Sequence, residues 1–372
     1  MPAGPQKDLL LVYLGPPSSG GTVQVLARLG RLWSQSDSRV EFVTYSDAGV
    51  LDAEDLPIVR IGPAPNSRIS GRPLRVALRQ ARSVVRYAVR IRRAVRERPH
   101  AVILPFLTGT ALVTLAATIG LPNRVVVCER IDVSARSLTW HFRLLQHLLY
   151  PRASAFTINS SSQAASRLLR SISRGRPVHV VPNPLPRDIP SADPAASHTI
   201  LAVGRLADQK QHAVLIDAFS RIADRIPEWC VVILGEGPLR SDLGAQINRL
   251  GLADRITLTG QVDDPRPFYA SAGLFVLPSG YEGTSNALLE AASAGLPCIV
   301  SEETAPPHTE GVLMSVPAGS ADALAEGLLD VCLNTDKREV LGRAAERWVK
   351  QVSDDDVLEG WSSVLELSVS NE

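Results

Sequence analysis

Residues 278–297 read PSGYEGTSNALLEAASAGLP, and this stretch says more about the fold than any other part of the chain. It follows a short apolar run, Leu274–Leu277, and it contains a helical pattern over Asn286–Ala294. Glu282 lies in the loop between them, and Glu290 lies eight residues further on, about two turns into the helix. A buried strand that leads through a loop into a helix predicts an α/β unit. The spacing of the two glutamates alone is not specific.

The start of this helix suits an anionic ligand. Thr284 or Ser285 can cap it, and the positive end of the helix dipole then lies at its first amides. These are the amides of Asn286, Ala287 and Leu288. Because a carboxylate repels a phosphate, Glu282 and Glu290 are expected to accept hydrogen bonds from sugar hydroxyls while amides and cations hold phosphates.

Two cations follow an earlier strand of the same half of the chain. The segment Val203-Gly204-Arg205-Leu206 ends that strand, and Lys210 follows it. Arginine offers a planar fork and lysine a point charge, so this pair suits a diphosphate. Gly235 begins a Gly-Glu-Gly-Pro turn after the next strand, where Arg240 replaces the last glycine of a dinucleotide fingerprint. We interpret it as a tight turn beside a ligand.

A third glycine-rich turn follows the first strand, at residues 15–22, GPPSSGGT. Gly20 and Gly21 open a helix, where backbone amides can approach an anion. The spacing is close to that of a P-loop, but Gly21 stands where the lysine belongs, which argues against an ATPase.

Apolar strands alternate with amphipathic helices twice along the 372 residues. Continuous apolar strands indicate parallel sheets that are covered on both faces. The predicted fold class is therefore α/β, with two Rossmann-like, doubly wound domains that face each other across a cleft. Residues 182–197 hold five prolines and predict a semi-rigid linker. The predicted domains are 1–183, a linker at 184–198, 199–352, and a C-terminal helix at 353–372 that packs back on the first domain.

Taken together, these motifs resemble the retaining glycosyltransferases of family 4, which have the GT-B fold. The hallmark of that family is Glu-x7-Glu, found here as Glu282-GTSNALL-Glu290, with Arg205 and Lys210 about eighty residues upstream. The phrases VGRL-ADQK, VILGEGPLR, RITLTGQVDD and YASAGLFVLPS are also similar to the family's sequences. The resemblance covers nearly the whole chain and is strongest over 199–300.

The resemblance implies a role for each motif. Arg205 and Lys210 would hold the donor diphosphate, Glu290 the ribose, and Glu282 the transferred sugar near its 3- and 4-hydroxyls. The Gly20-Gly21 turn would close over the phosphates. The remaining residues expected to line the donor site are Gly204, Gly235, Thr284, Ser285, Asn286, Ala287 and Leu288.

One catalytic position departs from the commonest pattern. Glu129 takes the place of a histidine that in many members contacts the sugar and the acceptor, and we count it among the catalytic candidates. A second departure is residues 301–315, SEETAPPHTEGVLMS, where the family continues Gly-Gly-x-x-Glu and Glu310 is the nearest substitute.

The implied function is transfer of a sugar from a nucleotide diphosphate sugar, expected to be a UDP-sugar, with retention of configuration. The expected acceptor is a glycan or a polyprenyl-diphosphate-linked saccharide in surface polysaccharide assembly. No metal and no cofactor are expected, because cations and helix amides can stabilise the diphosphate. Asp354-x-Asp356 resembles an acidic metal motif, but it is expected to cap the last helix. Two alternatives stay open: a sugar-nucleotide epimerase of the same architecture, and an inert paralogue that acts as a binding subunit.

The net charge of +1 argues against a uniformly basic nucleic-acid binder, but it hides a local excess. Residues 66–100 hold eleven arginines and one acid, Glu97. Arg72, Arg75, Arg79, Arg82, Arg86, Arg90 and Arg93 recur at helical spacing, and Leu78, Val85, Val89 and Val95 are expected to pack on the domain. One sign of charge over six turns indicates an anionic partner. We expect this Arg-rich helix, 72–98, to bind an anionic membrane surface and we expect no nucleic acid.

Residues 101–121 are uncharged and long enough to span a membrane. Pro105, Gly109 and four threonines argue instead for a strand, a loop and a short helix. Four separated cysteines suit a reducing compartment. We therefore expect a cytoplasmic protein that is peripheral on the inner face of the cell membrane.

Overall fold

The computed structural model describes residues 7–15, 21–36, 38–45, 51, 56–63, 73–130, 139–159 and 163–367. The chain divides into two compact units. Unit 1 is Met1–Pro184 together with Asp354–Glu372, and unit 2 is Leu185–Ser353.

Unit 1 is built on a seven-stranded parallel sheet in the order β3-β2-β1-β4-β5-β6-β7. Its strands are β1 (Asp8–Tyr13), β2 (Arg39–Thr44), β3 (Ile58–Arg60), β4 (Val102–Phe106), β5 (Val126–Glu129), β6 (Ala155–Ile158) and β7 (Val178–Val180). Its first five helices are α1 (Gly21–Gln35), α2 (Pro73–Arg96), α3 (Thr108–Ala117), α4 (Trp140–Leu149) and α5 (Gln163–Ile172). The strand order changes direction between β1 and β4, so the loops after these two strands lie side by side at one edge.

Helices α2, α3 and α5 share one buried core with the sheet, and α4 packs beside α3. The core side of α2 is formed by Tyr87, Ile91, Ala94 and Val95. The expectation for Val85 and Val89 is wrong: both are more than 60% exposed. They lie two positions before Tyr87 and Ile91, which is roughly the opposite side of a helix. Val95 is buried as expected, and the side chain of Leu78 lies outside the described ones.

The apolar segment 101–121 forms β4 and the ten-residue α3. No helix in the described part of the chain combines the length and the hydropathy needed to cross a membrane.

The last helix, α12 (Asp354–Leu367), belongs to unit 1 although the chain reaches it after unit 2. Its Trp361 is fully buried and packs edge-on against Trp33 of α1, with ring centroids 5.0 Å apart. Three acids stand in its first turn, including Asp354 and Asp356, where they interact favourably with the helix dipole.

Unit 2 is built on a six-stranded parallel sheet in the order β10-β9-β8-β11-β12-β13. Its strands are β8 (Thr199–Val203), β9 (Cys230–Leu234), β10 (Ile256–Gly260), β11 (Leu274–Leu277), β12 (Cys298–Ser301) and β13 (Met314–Val316). Its helices are α6 (His212–Ile222), α7 (Arg240–Arg249), α8 (Arg266–Ala270), α9 (Asn286–Ser293), α10 (Ala321–Cys332) and α11 (Thr335–Val349). Here the order changes direction between β8 and β11.

The predicted α/β architecture with two parallel sheets is therefore confirmed. The proline-rich segment after Pro184 runs along unit 2: the amide of Ala192 donates to the carbonyl of Ala294 at 2.8 Å. Arg338 also donates to the carbonyl of Pro194 at 2.9 Å. Hydrogen bonds to unit 2 thus hold part of this segment on its surface.

Candidate functional site

The donor-site candidates of unit 2 meet where the strand order reverses, at the C-terminal ends of β8 and β11. Three contacts join the two loops. The side chain of Gln209 donates to the carbonyl of Tyr281 at 2.8 Å, and the amide of Gly280 donates to the carbonyl of Gln209 at 2.9 Å. The ammonium of Lys210 forms an ion pair with the carboxylate of Glu282. The geometry thus brings together two residues that are 72 positions apart.

The Lys210–Glu282 pair is largely shielded from solvent. The exposed fraction is 17% for the side chain of Lys210 and 11% for that of Glu282. Gly204 makes room for the lysine stem, since a Cβ there would lie 3.1 Å from its Cδ and Cε. Arg205, in contrast, is exposed, and its guanidinium has no partner among the described residues. The site therefore contains one sheltered, paired cation and one open cation.

Gly235 holds the neighbouring loop against this site. Its φ of 145° lies where side chains are disfavoured, and a Cβ would lie 1.9 Å from the carbonyl oxygen of Gly204. The amide of Gly204 donates to the carbonyl of Leu234 at 2.9 Å. A glycine is required here because two backbone segments touch.

The N-terminus of α9 opens at the same edge. Ser285 occupies the N-cap position, but its side chain makes no capping hydrogen bond, so the predicted cap by Ser285 is wrong. Thr284 precedes this position. The amide of Leu289 donates to the carbonyl of Ser285. The amides of Asn286, Ala287 and Leu288 come earlier in the chain and belong to the first turn of the helix.

Glu290 is not a solvent-exposed helix acid: its exposed fraction is 9%. The hydroxyl of Tyr269, on α8, donates to its carboxylate at 3.0 Å. Tyr269 is fully buried. Sequence reasoning did not single out Tyr269 or Gln209, although they lie in YASAGLFVLPS and VGRL-ADQK, two of the phrases that are similar to the family's sequences.

One more polar atom near the site has no partner. The hydroxyl of Ser279, in the loop after β11, is buried and makes no hydrogen bond. Such a group normally finds a partner, and a polar ligand at this loop would supply one.

In unit 1 the expected phosphate turn is only partly described: Gly20 lies outside the described residues, and Gly21 is the first residue of α1. In unit 1 the strand order reverses between β1 and β4, and the residues just after these two strands are described. There the amide of Leu14 donates to the hydroxyl of Thr110 at 3.1 Å. Leu107 adopts a φ of 74° just before α3, a strained value for a leucine.

Glu129 lies at the end of β5 and is 2% exposed. Its carboxylate accepts hydrogen bonds from the hydroxyl of Thr108 at 3.0 Å and from that of Tyr150 at 2.5 Å. Burial, and then the charge of Glu129, raise the pKa of Tyr150 well above its usual range, which keeps the donor neutral. Both carboxylate oxygens are thus engaged, an arrangement that suits positioning better than proton transfer.

The residue after Glu129 is also buried. The guanidinium of Arg130 lies 5.2 Å from the ring centroid of Phe106 and 5.4 Å from that of Trp361. It also donates to the carbonyl of Val181 at 3.3 Å. Through these cation–π contacts Arg130, which directly follows β5, packs against β4 and α12.

The altered segment 301–315 is held by hydrogen bonds within it and to the residues that follow it. The carboxylate of Glu303 accepts from the amide of Ala318 at 3.0 Å, and Thr309 donates to the carbonyl of Pro306 at 2.7 Å. Glu310 is exposed. Among the described residues no group of three or more His, Cys, Asp or Glu could hold a metal ion.

His212 begins α6 next to the Lys210 loop and is buried. Burial, and then the charge of Lys210, lower its pKa to about 4. The pKa of His212 is lower in the folded protein than in the unfolded chain, so on acidification the unfolded chain takes up a proton first. The stability that is present above about pH 6.5 is therefore lost as the pH falls towards 4. Between pH 7 and pH 4.5 we expect a loss of about 2 kcal/mol in the free energy of unfolding.

Urea unfolding of the wild type and of His212→Gln at the two pH values measures this loss. The variant should lose less stability on acidification, by about the same 2 kcal/mol. His308→Asn, at an exposed histidine, serves as the control and should follow the wild type. Parallel pH profiles for all three proteins would contradict the assignment.

The comparisons with known proteins identify the family. The family model described as "Glycosyl transferase 4-like domain" matches residues 20–184, and the one described as "Glycosyl transferases group 1" matches residues 197–334. Together they span most of the chain.

Curated relatives extend the match. The putative glycosyltransferase EpsF of Bacillus subtilis is 27% identical over 80% of this chain and 79% of its own length. A Campylobacter jejuni enzyme, N-acetylgalactosamine-N,N'-diacetylbacillosaminyl-diphospho-undecaprenol 4-alpha-N-acetylgalactosaminyltransferase, is 29% identical over 47% of this chain and 50% of its own. The chain spans about half or less of the length of several other curated relatives that it matches.

A solved structure supports the fold. HepE from Anabaena, in complex with UDP and glucose, superposes with a TM-score of 0.78 at 17% identity, over 97% of this chain and 100% of HepE.

Proposed function

Because this chain belongs to the GT4-like glycosyltransferases of the GT-B fold, we propose that it transfers a sugar from a UDP-sugar to a saccharide acceptor, with retention of configuration and without a metal. The observation that carries the proposal is the sheltered Lys210–Glu282 pair at the reversal point of unit 2. In the proposed roles, the ammonium of Lys210 binds the diphosphate and the neighbouring carboxylate of Glu282 binds the sugar. The UDP bound to HepE supports the choice of base.

The proposed mechanism assigns one task to each residue. Lys210 and the open cation Arg205 bind the diphosphate and stabilise the charge that develops on it as the glycosidic bond breaks. The first amides of α9 add the positive end of a helix dipole. Glu290, which is oriented by Tyr269, accepts hydrogen bonds from the ribose hydroxyls. Glu282 accepts them from the transferred sugar.

The anomeric configuration is retained because the acceptor hydroxyl attacks the sugar on the face that the leaving group vacates. The sugar passes through an oxocarbenium-like state, and the departing phosphate accepts the proton of the acceptor hydroxyl. No second carboxylate is needed as a nucleophile. In this scheme Glu129 acts as a positioning residue, because Thr108 and Tyr150 already donate to its oxygens.

The proposed acceptor is a glycan or a polyprenyl-diphosphate-linked saccharide in surface polysaccharide assembly. The Campylobacter jejuni relative, which by its name acts on a diphospho-undecaprenol-linked sugar, supports this class. We also propose that the Arg-rich helix α2 (Pro73–Arg96) holds the protein on the inner face of the membrane. Among its described side chains, Arg82, Arg86, Arg90, Arg93 and Arg96 are exposed.

A thermal-shift panel against UDP, GDP, ADP and CMP in the presence of EDTA tests the donor site. We expect UDP alone to raise the melting temperature, since a ligand at a hundredfold excess over Kd adds about 2.7 kcal/mol of stability. With a UDP-sugar and an acceptor, EDTA should not reduce turnover, and NMR should show an unchanged anomeric configuration in the product. A shift with another nucleotide, loss of turnover in EDTA, or an inverted product would each overturn the corresponding part of the proposal.

A further inference from the structure

Helix α4 presents an apolar surface that nothing in the described chain covers. Trp140, Leu144, Leu145 and Leu148, here called the α4 apolar surface, are 76%, 51%, 42% and 62% exposed. Gln146, on the other side of the helix, is buried. An amphipathic helix of a globular protein normally has the reverse arrangement, with its large apolar residues on the core.

The surroundings of this surface favour one kind of partner. Helices α2, α3, α4 and α5 contain eleven arginines and no aspartate or glutamate. Helix α3 packs between α2 and α4, so the arginine-rich α2 belongs to the same helical layer as the α4 apolar surface. On α2, Val84, Val85 and Val89 are exposed between Arg82, Arg86 and Arg93.

A second copy of this chain would bring arginines against arginines across this layer. A partner that is anionic at its surface and apolar beneath it satisfies both features at once. An anionic lipid bilayer has this structure, and a tryptophan at the end of a helix is typical of residues at the bilayer interface. At ten residues, or about 15 Å, α4 is too short to cross a bilayer and long enough to lie in its interface.

We propose that α4 inserts the α4 apolar surface into the acyl boundary of an anionic bilayer, while the arginines of α2 contact the headgroups. This inference rests on the membrane part of the proposed function and adds a hydrophobic anchor to it. The two contributions differ in salt dependence, because at about 1 M salt charges are screened within about 3 Å. Binding through α2 alone would be lost at high salt, whereas binding through α4 would persist.

Flotation with vesicles of equal parts phosphatidylglycerol and phosphatidylcholine tests this. At about 0.5 M NaCl the wild type should still bind, and the triple variant Trp140→Ser/Leu144→Ser/Leu148→Ser should bind at least tenfold more weakly. The control variant Leu250→Ser/Leu333→Ser/Val340→Ser removes exposed apolar residues of unit 2 and should bind as the wild type does. Equal binding of wild type and the α4 variant would overturn the proposal. So would a wild-type dimer that becomes monomeric in the α4 variant.

Tryptophan fluorescence gives a second readout that does not depend on removing apolar area. Of the five tryptophans, Trp33, Trp229 and Trp361 are buried and Trp348 is half-buried, so Trp140 is the exposed one. Brominated lipids should quench the wild type, and Trp140→Phe should lose most of that quenching while still binding vesicles. Quenching that persists in Trp140→Phe would contradict insertion of α4.

Stabilisation by UDP separates this inference from the proposed function. A wild type that is stabilised by UDP but does not bind vesicles overturns the inference alone. A wild type that binds vesicles but is not stabilised by UDP overturns the donor assignment alone.

Discussion

Replacing Lys210 with alanine should lower kcat/KM for sugar transfer by about three orders of magnitude and abolish the thermal shift with UDP. Removing a single preorganised donor from a developing oxyanion costs about 100- to 1,000-fold. Here the loss is greater than for a lone donor, since Lys210 also neutralises Glu282. Without the lysine, the carboxylate of Glu282 remains beside the diphosphate and repels it.

A second substitution separates the charge from the packing of the lysine stem. Lys210→Met keeps a chain that can follow the space left by Gly204 but carries no charge, and it should be as inactive as Lys210→Ala. Lys337→Ala removes a lysine from an exposed ion pair with Asp330 and serves as the matched control. Single-turnover kinetics and UDP titration measure the effects. A methionine variant with more than a tenth of wild-type kcat/KM would show that the charge of Lys210 is not required.

The parts of the fold that depend on local pattern could be predicted from the sequence. Continuous apolar runs gave the central strands, because a strand buried on both faces has no polar positions. The apolar pattern does not mark β3 and β13, which are three-residue strands at sheet edges. At that length periodicity does not distinguish a strand from a loop.

Helix α4 was missed for a different reason. Its sequence, WHFRLLQHLL, places apolar residues around more than half of the helix circumference, with His141 among them. The polar side, formed by Arg143, Gln146 and His147, is narrow, which makes a surface helix harder to recognise from the sequence. The same property makes the helix conspicuous in the structure, where most of those residues are exposed.

The candidate site also contains residues that the sequence indicates and residues that only the structure shows. Glu282, Glu290, Arg205 and Lys210 could be named from the motifs that resemble the family's, but their partners could not. Tyr269 lies 21 residues before the carboxylate it contacts, and only the packing of α8 beside α9 brings the two together. The engagement of Glu129 by Tyr150 likewise depends on tertiary contacts, and it is the reason why we propose a positioning role for this catalytic candidate.

Replacing Glu282 with alanine should separate sugar recognition from nucleotide binding. We expect kcat to fall by about 100- to 1,000-fold, because the variant loses a preorganised group that stabilises the sugar in the transition state, and such a loss typically costs about that much. The thermal shift with UDP should remain, because Lys210 stays and is no longer shared with a carboxylate. This is the opposite of the result expected for Lys210→Ala, in which UDP binding is lost.

Deoxy donors make the assignment of Glu282 specific to one hydroxyl. If Glu282 accepts a hydrogen bond from the 4-hydroxyl of the sugar, the wild type should use a 4-deoxy donor far more slowly than the normal donor. Glu282→Ala should use the two donors at the same rate. This cycle measures the coupling between the carboxylate and the hydroxyl, and the 3-deoxy donor tests the neighbouring position in the same way. Glu339→Ala, which removes a surface carboxylate paired with Arg343, should discriminate as the wild type does. If Glu282→Ala still discriminates against both deoxy donors, the hydroxyls are recognised by another residue, and the carboxylate of Glu282 serves only to orient Lys210.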